Sequence, residues 1–190
     1  MIKTNKNIIL ASGSPRRQQF LKELNIPFSI QLKEVEEIYP NDLVAEEIPE
    51  FLAQLKAAAF TDLKADDVLI TSDTIVWHNN TALGKPKDKA DATAMLQALS
   101  GDTHTVITSV CIKTADTTEV FSSATEVTFT NLNRETIEFY IDKYKPFDKA
   151  GAYGIQEWIG QIGISKITGC YNTVVGFPTQ LFYTKLLSYV

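Results

Sequence analysis

Ala11-Ser12-Gly13-Ser14-Pro15-Arg16-Arg17 follows a short apolar run, Ile8 to Leu10, and precedes Phe20, Leu21 and Leu24 at helical spacing. The run reads as a strand and the spacing as one face of a helix, so the stretch is a strand-to-helix turn. Ser14 suits the N-cap. Pro15 falls at the first helical position, where its missing N–H costs nothing and its fixed φ matches the helix. Arg16 and Arg17 then stand in the first turn, where the partial positive charge of the helix end favours Asp or Glu instead. A bound anion would resolve that conflict, with phosphate the leading candidate; pairing of both arginines with surface carboxylates is the competing reading.

The rest of the chain bounds what such a site can serve. Its 190 residues, 44% hydrophobic and 22% charged, suit one domain over residues 1–190 with room for two lobes. The net charge of −5, from 18 Lys and Arg against 23 Asp and Glu, argues against a general binder of polymeric nucleic acid, so a phosphate site would be a local pocket. Cys111 and Cys170 are far apart and in no metal-ligand spacing, which points to reduced thiols. No apolar run reaches membrane-spanning length, and Met1 to Lys6 leads into no apolar signal core, so a cytoplasmic protein without membrane contact is expected.

Farther along, Phe28 to Leu32 alternates as a strand does, and an acidic loop follows with Glu34, Glu36, Glu37 and Asp42. Taken alone, that loop reads as solvated surface. From Pro49 the stripe Phe51, Leu52, Leu55, Ala58 and Ala59 is helical, with Lys56 off its centre. Val68 to Trp77 is β-branched enough for a buried strand, yet Ser72, Asp73 and Thr74 lie in its middle. A buried carboxylate without a partner costs several kcal/mol, so Asp73 calls for a cation, a metal or water beside it, unless it sits at an exposed strand end.

His78-Asn79-Asn80 reads as a hairpin turn, and Asp88 to Leu99 as a helix closed by Gly101. Neither His78 nor His104 has a second His or Cys at ligand spacing, which favours turn or surface roles over zinc. Thr105 to Lys113 and Glu119 to Thr130 form a hairpin turning near Asp116, and Asn133 caps a helix through Tyr144. Phe147 to Gly176 holds six of the nine glycines, interleaved with aromatic and apolar anchors; short strands and tight loops are expected there. Pro178 opens a last helix carrying Leu181, Phe182, Leu186 and Leu187.

Together these residues resemble the Maf-like nucleoside triphosphate pyrophosphatases. The motifs run in order: Ala11 to Arg17, Glu36-Glu37, Leu52-Ala53 with Lys56-Ala57, Ser72-Asp73-Thr74, Gly84-Lys85-Pro86, Leu99-Ser100-Gly101 with His104, Asp148 to Gln156, and Val174 to Pro178. The resemblance implies a mixed α/β fold of inosine-triphosphatase-like architecture: an elongated twisted mixed sheet flanked by helices, two lobes and a deep cleft. It further implies a cytoplasmic homodimer that uses a divalent cation (Mg2+, Mn2+ or Co2+) to hydrolyse a nucleoside triphosphate to the monophosphate and pyrophosphate. Ile155-Gln156 after Gly154 is similar to the branch acting on dTTP and UTP. By that similarity Asp73 is the proton acceptor, and Arg16, Thr74 and Gln156 are tied to substrate choice.

The chemistry fits those assignments. A triphosphate brings about three to four negative charges, so positioning and electrostatics should carry most of the catalysis. Ser12, Ser14, Arg16 and Arg17 can surround phosphate oxygens, Lys56 and Lys85 can neutralise the rest, and Lys149 is a third candidate. Glu37 and Asp73 suit a hard cation completed by water and substrate oxygens, which gives the acidic loop a role. The Gln156 amide can meet the N3–H and O4 edge of uracil or thymine, although a flipped amide also meets cytosine. Modified pyrimidine nucleotides present the same edge. From a different class, a nucleotide-binding regulator of cell division without catalysis is the alternative, and the intact Asp73 argues against it.

Overall fold

The computed structural model describes residues 4–190; residues 1–3, part of the expected polar N-terminus, lie outside the described residues. The strands are β1 (Asn7–Leu10), β2 (Ser29–Ile30), β3 (Asp67–His78), β4 (Thr81–Leu83), β5 (Thr103–Lys113), β6 (Thr118–Phe129) and β7 (Ile164–Thr168). The α-helices are α1 (Pro15–Glu23), α2 (Glu47–Ala58), α3 (Lys89–Leu99), α4 (Arg134–Tyr144), α5 (Trp158–Gly163), α6 (Tyr171–Val175) and α7 (Thr179–Leu186), with a 3-10 turn at Ala150–Ala152. Among the described residues the strands hydrogen-bond in the order β2-β1-β3-β5-β6-β7, with β4 on β3. The sheet is mixed: β1 is parallel to β2 and β3, whereas β3–β4 and β6–β7 are antiparallel.

The chain divides into two compact units. The first contains the chain up to Asp73, Thr108–Ser123 and Gly176–Val190. Its β1 pairs Ile8 with Val68 and Leu10 with Ile70. Those four side chains point to one face and pack with Leu21 of α1 and Phe182 and Leu186 of α7. Strand alternation sends Ile9 and Leu69 to the other face, against Ala53 and Ala57 of α2. Thus α1 and α7 cover one face of this unit and α2 the other. Each fully buried Leu or Ile in these layers contributes about 1.5–3 kcal/mol through removal from water.

The second unit contains Thr74–Ile107 and Ala124–Val175. Its core joins Val76, Val106, Val127 and Phe129 of the strands to Ala92, Leu96 and Leu99 of α3 and Ile137, Tyr140 and Ile141 of α4. The i, i+4, i+7 spacing on α3 is the inward stripe expected from sequence. Asn79 and Asn80 both take positive φ, 48° and 57°, which closes the β3–β4 hairpin with the twist the strands need.

Two expectations change. Phe28 to Leu32 yields only a two-residue strand, because beyond Ile30 the chain is exposed and has no further strand to pair with in the order above. The glycine-rich stretch contains short helices where short strands were expected: α5, α6 and the 3-10 turn lie in it, and β7 is its one strand. Helices of five or six residues are too short to display the 3.6-residue period by which a helix is recognised.

Candidate functional site

The opening turn is built as its residues dictate. After β1, the Ala11 N–H donates to the Ile70 carbonyl (2.8 Å), holding the turn beside β3. Ser12 is buried and its Oγ accepts the Ser14 N–H (3.3 Å). Ser14 caps α1, its side chain accepting the Arg17 N–H, and Pro15 occupies the first helical position. No acidic residue lies in that first turn, so its charge remains of the sign that suits an anion.

Arg17 is half-buried, and main-chain carbonyls take up two of its donors, which the competing surface reading does not supply. Its Nε donates to the Gly176 carbonyl and its Nη1 to the Ser72 carbonyl, each at 2.9 Å. Burial lowers its pKa and the nearby Asp73 charge opposes that effect. The guanidinium therefore ties the turn ahead of α7 to the residue just before Asp73.

Asp73 lies within β3, only 8% exposed, and not at an exposed strand end. Its Oδ1 accepts from Lys56 Nζ at 2.5 Å, and the same ammonium reaches Glu37 Oε1 at 2.9 Å. The cation that a buried carboxylate demands is thus Lys56, carried in the last turn of α2, where the helix end also favours positive charge. Thr71 Oγ1 donates to the Ala53 carbonyl (2.6 Å) and fixes α2 against β3, two residues before Asp73 on the same face. Ser72, pointing the other way, has a buried hydroxyl with no hydrogen-bond partner.

The first unit therefore gathers Ser12, Ser14, Arg16, Arg17, Glu37, Lys56 and Asp73, while Thr74, Lys85 and Gln156 belong to the second. Asp73 and Thr74 are consecutive in β3. Lys85 is exposed, and the Gly84 carbonyl before it accepts the Gly151 N–H (3.0 Å), joining the two motif loops. Gly151 has φ +66°, and a Cβ there would lie 2.7 Å from Val76 Cγ2.

Gln156 is exposed, whereas its neighbours are held from beneath. The Tyr140 hydroxyl accepts the Gly154 N–H (3.0 Å) and donates to Glu157 Oε2; Glu157 Oε1 pairs with Lys149 Nζ (3.2 Å), which also pairs with Asp148 (2.7 Å). His104 is buried, not at a surface or turn, and its Nε2 hydrogen-bonds Tyr153 Oη at 2.7 Å while Nδ1 has no partner. Burial holds its pKa down at about 4. His78 is also buried and pairs with Asp102.

A Maf-like protein family model matches residues 7–189. The chain belongs to the Maf-like family. This Maf-like chain is 59% identical over 186 residues to the dTTP/UTP pyrophosphatase of Flavobacterium psychrophilum, covering 97% of this chain and 95% of that one. It is 56% identical to the dTTP/UTP pyrophosphatase of Flavobacterium johnsoniae, covering 96% and 95%, and 52% identical to that of Christiangramia forsetii, covering 96% and 93%. Among solved structures, the Staphylococcus aureus Ham1 protein superposes with a TM-score of 0.55 at 17% identity, covering 97% of this chain and 100% of that one. That likeness concerns the fold alone, and it accords with the mixed α/β sheet flanked by helices expected from sequence.

Sequence reasoning missed Tyr140 and Glu157. The available signals were a tyrosine on the inward stripe of α4, with Ile137 and Ile141, and the only glutamate between Phe147 and Gly176. A polar tip on an apolar stripe needs a partner.

Proposed function

We propose that this Maf-like chain is a nucleoside triphosphate pyrophosphatase that hydrolyses dTTP and UTP to the monophosphate and pyrophosphate. The observation that carries the reading is the convergence of Glu37 and Asp73 on Lys56 beside the arginine-bearing turn, in a chain more than half identical to relatives named for that activity.

Among the described residues no three His, Cys, Asp or Glu side chains cluster as a metal cage. Two carboxylates that meet at one cationic point nevertheless form the donor set that a magnesium-like ion takes, with water and phosphate oxygens completing its shell. Glu37 and Asp73 would hold such an ion, Mg2+, Mn2+ or Co2+. When bound, it would polarise a phosphate oxygen and lower the pKa of water.

The chain's own groups have separable tasks in this reading. Ser12, Ser14, Arg16 and Arg17 receive phosphate oxygens at the α1 end. Lys56, released in part from its two carboxylates, and Lys85 offset the charge that grows on the leaving oxygen. Asp73 orients the attacking water and takes its proton. The water oxygen bonds to the α-phosphorus, the bridging bond to the β-phosphate breaks, and pyrophosphate leaves with the electron pair. Thr74, Arg16 and Gln156 govern which nucleotide is accepted, modified uracil nucleotides included. A cytoplasmic homodimer belongs to the same proposal, supported by the family resemblance and checked by light scattering of the purified chain. No described helix is long and apolar enough to cross a membrane.

Incubation of a nucleotide panel with a divalent cation in 18O-labelled water tests this directly. The expected result is one 18O in dTMP or UMP and none in pyrophosphate. Label in pyrophosphate, or no turnover with magnesium, manganese or cobalt, overturns it.

A further inference from the structure

The hydroxyl of Tyr140 has no packing purpose. Its ring lies in the apolar core of the second unit, 0% exposed, where phenylalanine would fill nearly the same volume. A buried hydroxyl costs free energy unless it is hydrogen-bonded, so its partners identify its task. Both come from one short segment: the Gly154 N–H it accepts and the Glu157 carboxylate to which it donates. Burial and the Glu157 charge push the phenol above its ordinary range, so the hydroxyl keeps its proton and the direction of both bonds is fixed. Glu157 is held from its other oxygen by Lys149, itself nearly buried and paired with Asp148.

These contacts grip the chain on either side of Gln156. Gly154 adds a steric limit, because a Cβ built there would lie 2.9 Å from Gln156 Nε2 and 2.9 Å from Glu157 Cδ. The glutamine amide rests against the bare Cα of Gly154. The requirement for such a rest follows from the chemistry of amides: with carbonyl and NH₂ interchanged by a half-turn, glutamine can satisfy the uracil edge or the cytosine edge. Choice between them needs a scaffold that sets where the amide stands. A buried ion pair brings little net stability for its desolvation, which leaves geometry as the gain this network offers.

Resting on the reading of Gln156 as the residue that meets the base, we propose that Tyr140 and Glu157 are positioning residues which, through Gly154, set the Gln156 amide and thereby the preference for uracil and thymine over cytosine.

The test compares the wild type with Tyr140→Phe and Gly154→Ala in steady-state hydrolysis of UTP and CTP, with circular dichroism and thermal melting to establish folding. Tyr140→Phe retains the ring but removes both grips. Gly154→Ala keeps the Tyr140 hydroxyl and crowds both the Gln156 amide and the Glu157 carboxylate, at a residue without positive φ, so its backbone conformation suits alanine. The expected result for both folded variants is a fall of about tenfold in the UTP-over-CTP ratio of kcat/KM, from a higher KM for UTP, with kcat within about twofold of wild type. An unchanged ratio in a folded variant overturns the proposal, as does a fall in kcat common to all nucleotides, which a merely structural role would give. If Tyr140→Phe fails to fold, Gly154→Ala decides alone. Absence of pyrophosphate release from UTP by the wild type would instead overturn the proposed function.

Discussion

At the scale of single residues, the first unit turns on how one buried carboxylate is paired yet available. Asp73 is paired with an ammonium, and Lys56 divides its attention between Asp73 and Glu37. A lysine is a point charge on a flexible stem and can shift toward an incoming phosphate without breaking a bidentate geometry. Asp73→Asn keeps the shape and removes the proton acceptor. The expected outcome is a loss of about 10²–10⁴-fold in turnover with nucleotide binding retained, read by pyrophosphate release alongside isothermal titration; undiminished turnover would remove Asp73 from the chemistry. The preceding Ser72 gives a test of opposite sign. Its hydroxyl is buried without a partner, so Ser72→Ala is expected to leave stability unchanged or raise it by up to ~1 kcal/mol, measured by urea unfolding. The need for a cation beside Asp73 was legible because a charge in the middle of a β-branched strand is costly wherever the strand lies. That the cation is Lys56 was not, since 17 residues of sequence separate them and only the docking of α2 on β3 brings them together.

Among the elements, those with long and regular patterns were readable and those with short ones were not. The α1 turn announced itself through Ser14 and Pro15, and α3 through Ala92, Leu96 and Leu99. The Gln156 segment had no such pattern. Its course is fixed by close approaches: a Cβ on Gly160 would fall 1.8 Å from the Ile155 carbonyl oxygen, an encounter no period in the sequence encodes. Gly151 combines φ +66° with contact against Val76. Gly151→Ala is therefore expected to cost about 1–3 kcal/mol from backbone strain and crowding. A lower urea midpoint checks this, and an unchanged midpoint would show that Val76 gives way freely. The same substitution should loosen the tie from the Gly151 N–H to the Gly84 carbonyl, next to Lys85.

At the scale of the whole molecule, folding stability should carry a pH signature from His104. Its folded pKa, about 4, lies below the ordinary 6.5 because burial disfavours the cation. Between those values the unfolded chain binds a proton that the folded chain does not, so stability declines as pH falls from about 6.5 to about 4. The total from this group is ~3 kcal/mol. Chemical unfolding at pH 7, 6, 5 and 4.5 should show that slope in the wild type and a weaker one in His104→Asn; identical slopes would assign the acid sensitivity elsewhere. Cys111 takes no part, since burial pushes its thiol up to about 11. The mixed α/β class and the order of elements as far as α4 followed from sequence, whereas the β2-β1-β3-β5-β6-β7 arrangement did not, because pairing partners are set by three-dimensional closure and not by local pattern.

One peptide bond separates Asp73 from Thr74, and that proximity restricts how the protein can diversify. In an extended strand, consecutive side chains take opposite faces, so inserting or deleting a single residue in β3 would exchange the faces of everything beyond it. Change of length, the ordinary source of novelty in loops, is closed to this strand. New substrate ranges in descendants of such a chain must pass through this strand by substitution and not by change of length.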